Sequence, residues 1–143
     1  LRNNIGDPSA SSHGGGIWTY RSYFIIENAI FKSNSSNQGG GAYFSQSSGK
    51  VKGSIIENNS SSQLGGGLVA STGGPFSDGS ISIDSTSIRH NVSNGRGGGA
   101  IFQQGKVTLN NSAIMNNSGT NGGGLCLDYI AEPIIKNSKI HSP

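Results

Sequence analysis

Seven carboxylates, three histidines and one cysteine are the side chains of this sequence that could do acid–base, metal or nucleophilic chemistry. The carboxylates are Asp7, Glu27, Glu57, Asp78, Asp84, Asp128 and Glu132. Cleaving a glycosidic bond needs two of them flanking it, and a Ca²⁺ site needs several oxygens around one ion. No two lie within three residues of each other. His13, His90 and His141 fall at unrelated places in the local pattern, which suits solvated turn residues better than ligands or proton carriers. Cys126 stands alone, so no internal disulfide can form, and a small apolar strand residue is the expected role. On these residues the chain is not expected to be an enzyme, and no catalytic residue, metal ligand or cofactor is assigned.

The recurring polar chemistry belongs to asparagine. Six positions fit the Asn-x-Ser/Thr glycan acceptor: Asn34, Asn58, Asn59, Asn91, Asn110 and Asn116. A chain rich in Asn and Ser produces such matches by chance, so each needs structural support. Three of them, Asn34, Asn59 and Asn91, also end an apolar-x-x-Asn step: Phe31 to Asn34, Ile56 to Asn59, Ile88 to Asn91, and again Ile114 to Asn117. An Asn turned inward at such a step could not hold a sugar. Asn58, Asn110 and Asn116 are therefore the favoured acceptors.

The elements that position these residues are set by a repeat. Gly-Gly-Gly begins at Gly14, Gly39, Gly65, Gly97 and Gly122, at spacings of 25, 26, 32 and 25 residues. Each of the last four triplets follows its Asn step by five or six residues. Linked motifs at a fixed period of this size mark a solenoid, in which a narrow core is refilled at every turn. The stretch from Gly97 to Asn121 reads as three strand-like pieces joined by Gly, Asn and Ser turns. The expected fold is all-β: a right-handed parallel β-helix over residues 1–143, with about 25 residues and three short strands per coil. The longer third spacing places an inserted loop at about residues 71–79, where Gly-Gly-Pro and Asp-Gly supply turn chemistry.

Alternation along the strands defines the expected core. Phe24, Ile26, Val51, Ile81, Ile83, Val107, Leu109 and Ile134 should face inward, with Phe31, Ile56, Ile88 and Ile114. Glycines suit tight corners where stacked backbones leave no room for a side chain. Stacked Asn amides can satisfy turn groups and one another. Glu27 and Glu57 follow the same Ile-Ile step, so stacking could bring them onto adjacent coils. After each triplet the register is open. If the first and third residues face inward, Trp18, Tyr43, Val69, Ile101 and Cys126 form one outward apolar row, a candidate interface. A one-residue slip buries them instead. The first alternative is favoured, because only Thr19 breaks its inward set.

Composition fits a solenoid and narrows the partners. Gly accounts for 24 of 143 residues, about twice its usual share. The net charge is +3 and the basic residues are scattered singly, so no nucleic-acid surface is expected. No stretch is long and apolar enough to read as a membrane span, and no direct membrane insertion is expected. The chain starts in mid-pattern and is expected to be an internal piece of a longer protein.

The paired motif resembles the repeats of the chlamydial polymorphic outer-membrane proteins and related β-helix surface proteins, including those of protists. Those carry Phe-x-x-Asn followed by Gly-Gly-Ala-Ile/Leu/Val. Here Phe31-Lys-Ser-Asn34 is followed by Gly40-Gly41-Ala42-Tyr43, and Ile88-Arg-His-Asn91 by Gly98-Gly99-Ala100-Ile101. The chain departs in using Ile for Phe in three of four repeats and in carrying a third glycine. The resemblance implies a right-handed parallel β-helix with a surface, adhesive or structural role. The expected function is an extracellular or cell-surface structural or adhesive segment, a glycosylated building block of an appendage or filament. Its partners would be itself or neighbouring β-helix coils, end to end or side by side, and N-linked glycans. The alternatives are a carbohydrate-binding or polysaccharide-degrading β-helix fragment and an ice-binding solenoid. The second of these needs a regular outward Thr row, and Thr is sparse.

Overall fold

In a computed structural model, which describes residues 1–7, 11–73 and 79–141, the chain winds into a parallel β-solenoid of stacked coils. The first coil carries β1 (Ile17–Tyr20), β2 (Tyr23–Glu27), β3 (Ile30–Lys32) and β4 (Ser35–Gln38). The second carries β5 (Ala42–Ser45), β6 (Ser48–Lys52), β7 (Ile55–Glu57) and β8 (Ser60–Leu64). The third carries β9 (Leu68–Ser71), β10 (Ser80–Asp84), β11 (Ser87–Arg89) and β12 (Val92–Arg96). In the fourth, β13 (Ala100–Asn110) runs through the first bend, followed by β14 (Ala113–Met115) and β15 (Ser118–Asn121). β16 (Leu125–Lys136) and β17 (Lys139–His141) begin a fifth. Every strand pairing is parallel and joins one coil to the next. The strands form three sheets, because the long β13 and β16 fuse the first two rows into one.

Each regular coil thus holds four strands rather than three. The piece read as the third strand bends at a single residue placed just before the stacked Asn. Ser33, Asn58, His90 and Asn116 occupy that position, all with φ between 54° and 56°. A second bend uses Asn28, Gly53, Ser85, Asn111 and Asn137, again in the left-handed region. One such residue between two extended stretches turns the chain sharply, and Asn, Ser and His tolerate it at modest cost.

The core is a narrow stack of apolar side chains. Phe44, Leu68, Ala70, Phe102, Ile81, Ile83, Leu109, Ile56, Ile88 and Ile114 are fully buried. Phe24 stacks on Phe44 at 4.2 Å between ring centroids. The first and third residues after each triplet face inward, so Ala42 and Phe44 pair with Leu68 and Ala70, then with Ala100 and Phe102.

Ile134 departs from expectation. β13 and β16 pair 25 residues apart at Gln103–Asp128 but 26 apart at Gly105–Ala131. The extra residue exchanges the two faces. Ile134 therefore aligns with outward Thr108 and is exposed, while Ile135 aligns with inward Leu109. Of the expected inserted loop at 71–79, residues 74–78 lie outside the described part.

Glycine triplets and asparagines recur together because they touch. In Gly39–Gly41, the first residue has φ 64°. A Cβ on Gly40 would lie 2.2 Å from the Ser60 carbonyl oxygen, and one on Gly41 would lie 2.9 Å from Asn59 Nδ2. No side chain fits in either space.

Candidate functional site

The inner corner carries a buried ladder of asparagines. Asn34, Asn59, Asn91 and Asn117 are buried and hydrogen-bonded from coil to coil. Asn59 shows one rung in full. Its Nδ2 donates to Asn91 Oδ1 (3.0 Å) and to the Phe31 carbonyl (3.0 Å). Its Oδ1 accepts from Asn34 Nδ2 (3.0 Å) and from the Asn34 backbone N–H (2.9 Å). Asn4 adds a rung the sequence did not reveal: its Nδ2 donates to Asn34 Oδ1 at 3.0 Å. Leu1 to Asn4 is also an apolar-x-x-Asn step, but the gap to its triplet is longer, which hid it.

A second ladder went unrecognised. The hydroxyls of Ser54, Thr86, Ser112 and Ser138 accept from the backbone N–H one coil earlier, at Ala29, Ser54, Thr86 and Ser112. Each also donates to the carbonyl two residues before it. The available signal was position: three of these hydroxyls stand five residues before a ladder Asn.

The sequons divide by burial and geometry. Asn34, Asn59 and Asn91 are spent in the ladder, so none can carry a glycan in the folded chain. Asn58 and Asn116 are exposed at the left-handed bend. Asn110 is half-buried, and its Nδ2 donates to Asp84 Oδ1 at 3.0 Å.

The outward row is aligned as expected: Trp18, Tyr43, Val69, Ile101 and Cys126 are register partners. It is not a continuous exposed stripe. Val69 and Ile101 are fully buried although they lie outside the core cluster, and Tyr43 and Cys126 are half-buried. Trp18 is 53% exposed. The interface reading is therefore corrected at Val69 and Ile101, whose side chains have no free surface.

The open end of the row is aromatic. His13 stacks on Trp18 (5.5 Å) and on Tyr43 (5.0 Å), Tyr20 lies 6.1 Å from Trp18, and the Arg21 guanidinium sits over Tyr20. Burial pushes the Tyr43 phenol above its ordinary range, opposed by a hydrogen bond with Ser45. The rest of the first coil continues this character, with Tyr23, Ile25 and Ile30 exposed on its outer side. Their register partners in the second coil are Ser48, Lys50 and Ile55.

The carboxylates stay apart. Glu27 lies in β2, with Lys50 at 3.2 Å, while Glu57 lies in β7, in a different sheet. Stacking does not bring the two together. Glu57 is held between Lys32 (3.0 Å) and Arg89 (2.9 Å), and their hydrogen bonds keep its carboxyl below the usual range. Asp84 is lowered by hydrogen bonds from Ser85, then Asn111 and Asn110. Among the described residues, no three of His, Cys, Asp and Glu gather to hold a metal.

Comparison with known proteins adds no relative: no family model, no curated protein and no solved structure matches the chain.

Proposed function

We propose that the chain is a structural or adhesive β-helix segment of the cell exterior, a glycosylated building block of a surface appendage or filament. One contrast carries this reading. The interior is locked coil by coil through two polar ladders, whereas apolar surface is left open at the outermost coils. Inward Leu127, Ile135 and Ile140 of the last coil are 41–51% exposed, while their partners Phe102, Leu109 and Ile114 are fully buried. An apolar cross-section of this kind suits stacking against another β-helix coil. The exposed Asn58 and Asn116 bends offer glycan sites that leave the ladders intact.

The test is protease shaving of intact source cells, followed by peptide mapping of what is released. Release of this chain with glycan on Asn58 or Asn116, and none on Asn34, Asn59 or Asn91, is the expected result. Recovery of the chain only after lysis would overturn the surface reading.

A further inference from the structure

Two Asn-Gly steps lie in the fourth row of strands, at Asn94-Gly95 and Asn121-Gly122, and the structure treats them differently. β12 pairs with β15 at Val92–Ser118 and Ser93–Gly119, then at Arg96–Asn121. Asn94 and Gly95 together therefore face Thr120 alone, as a β-bulge. Asn121 is a ladder partner of Arg96 and is held in extended pairing. Both asparagines are exposed.

The bulge also requires glycine. A Cβ on Gly95 would lie 2.0 Å from the Gln63 carbonyl oxygen, so no larger residue fits. Glycine is the residue that least obstructs its own nitrogen in approaching the preceding Asn side chain. The packing of the coil thus enforces a chemically labile dipeptide, which the bulge frees from one-to-one pairing with β15 while it stays in register with β8.

We propose that Asn94 is a site of non-enzymatic covalent modification. The Gly95 backbone nitrogen loses its proton and attacks Asn94 Cγ, forming the C–N bond of a succinimide. The side-chain amide leaves as ammonia. Water then opens the ring at either carbonyl, giving aspartate or, when the chain continues through the side chain, isoaspartate. Each event replaces a neutral amide with a carboxylate and lowers the net charge by one. The new charge lies two residues from Arg96, whose guanidinium is paired with Asp128 at 3.0 Å. Two contacts restrain the reaction: the Gly95 N–H donates to the buried Ser93 hydroxyl at 3.2 Å, a hydrogen that cyclisation removes, and the Thr120 hydroxyl donates to the Asn94 carbonyl at 2.9 Å.

The experiment is incubation of the folded chain in mildly alkaline buffer at physiological temperature, with timed peptide mapping by fragmentation that separates aspartate from isoaspartate. A parallel sample in denaturant supplies the unstructured reference. In the folded chain, acid is expected at position 94 several-fold faster than at position 121, and in denaturant the two are expected to converge. Asn94→Gln should remove the acidic species from ion exchange while leaving the fold untouched, since the side chain is exposed. A folded chain in which position 121 reacts as fast as position 94, or in which position 94 stays amide, overturns the proposal.

Discussion

The two polar corners of the coil solve one problem with different side chains. At the Asn corner, each rung both gives and receives between coils, because an amide carries donors and an acceptor on one planar group. At the hydroxyl corner, each rung accepts once from the previous coil and donates back into its own. The Asn rungs therefore join three successive coils, and the hydroxyl rungs join two. Ala29 makes the difference concrete. It occupies the hydroxyl position of the first coil, and its N–H still finds Ser54 Oγ at 3.1 Å. No described Asn rung is replaced from Asn34 to Asn117.

The largest expected effect follows from that asymmetry. Asn91→Ala would strip the acceptor from the Asn59 N–H and Nδ2, and the donor from the Ile56 carbonyl. Those groups are buried, and each orphan costs about 1–3 kcal/mol, so the loss should reach several kcal/mol. Asn91→Asp is expected to be no milder, since a buried carboxylate would face the Ile56 carbonyl that Nδ2 now serves. Urea unfolding of both variants measures this. A loss under about 1 kcal/mol in Asn91→Ala would mean that the corner is held by the glycine backbone bonds instead.

Ser112→Ala is the matching change at the other corner. It orphans the Thr86 N–H, while the Asn110 carbonyl loses one donor but keeps the Ser85 N–H at 3.1 Å. The expected cost is about 1–2 kcal/mol, clearly below that of Asn91→Ala. Equal losses at the two positions would erase the distinction between the corners.

The same comparison explains which parts of the fold could be read from the sequence. Asn and the glycine triplet are fixed in type, one by the need for donor and acceptor together, the other by backbone contact across coils. Fixed types recur visibly, so the coil period and the core positions followed. Ser, Thr and Ala can each fill the hydroxyl corner, in a chain where Ser is common, and that ladder left no distinct trace. The bend at Ser33, Asn58, His90 and Asn116 was equally hidden. Its demand is for backbone conformation rather than for one side chain, and it turned three apparent strands into four. The slip that turned Ile134 outward came from one added residue in β16, where no periodic motif records register. The outward row at the candidate interface was aligned correctly, but the burial of Val69 and Ile101 depends on contacts that alternation along a strand does not encode.

The smallest expected effect belongs to the outer face, where Lys32, Glu57 and Arg89 form a charged row across three coils. Hydrogen bonds from Lys32 and then Arg89 hold the Glu57 carboxyl below its ordinary range in the folded chain. A group whose folded pKa lies below its unfolded value binds its proton more weakly when folded. Its contribution is complete above the unfolded carboxylate pKa, about 4.3, and is lost as pH falls through the lower folded value. Lys32 and Arg89 remain partly exposed, so solvent and salt screen the row and the contribution is small. Unfolding midpoints measured from neutral pH into the acid range should therefore fall slightly more steeply in the parent than in Glu57→Gln. That difference should shrink as salt is added, whereas the Asn91→Ala deficit should not. An acid slope unchanged by Glu57→Gln would show that the row only decorates the coil, with the two inner corners carrying the whole of its polar stability.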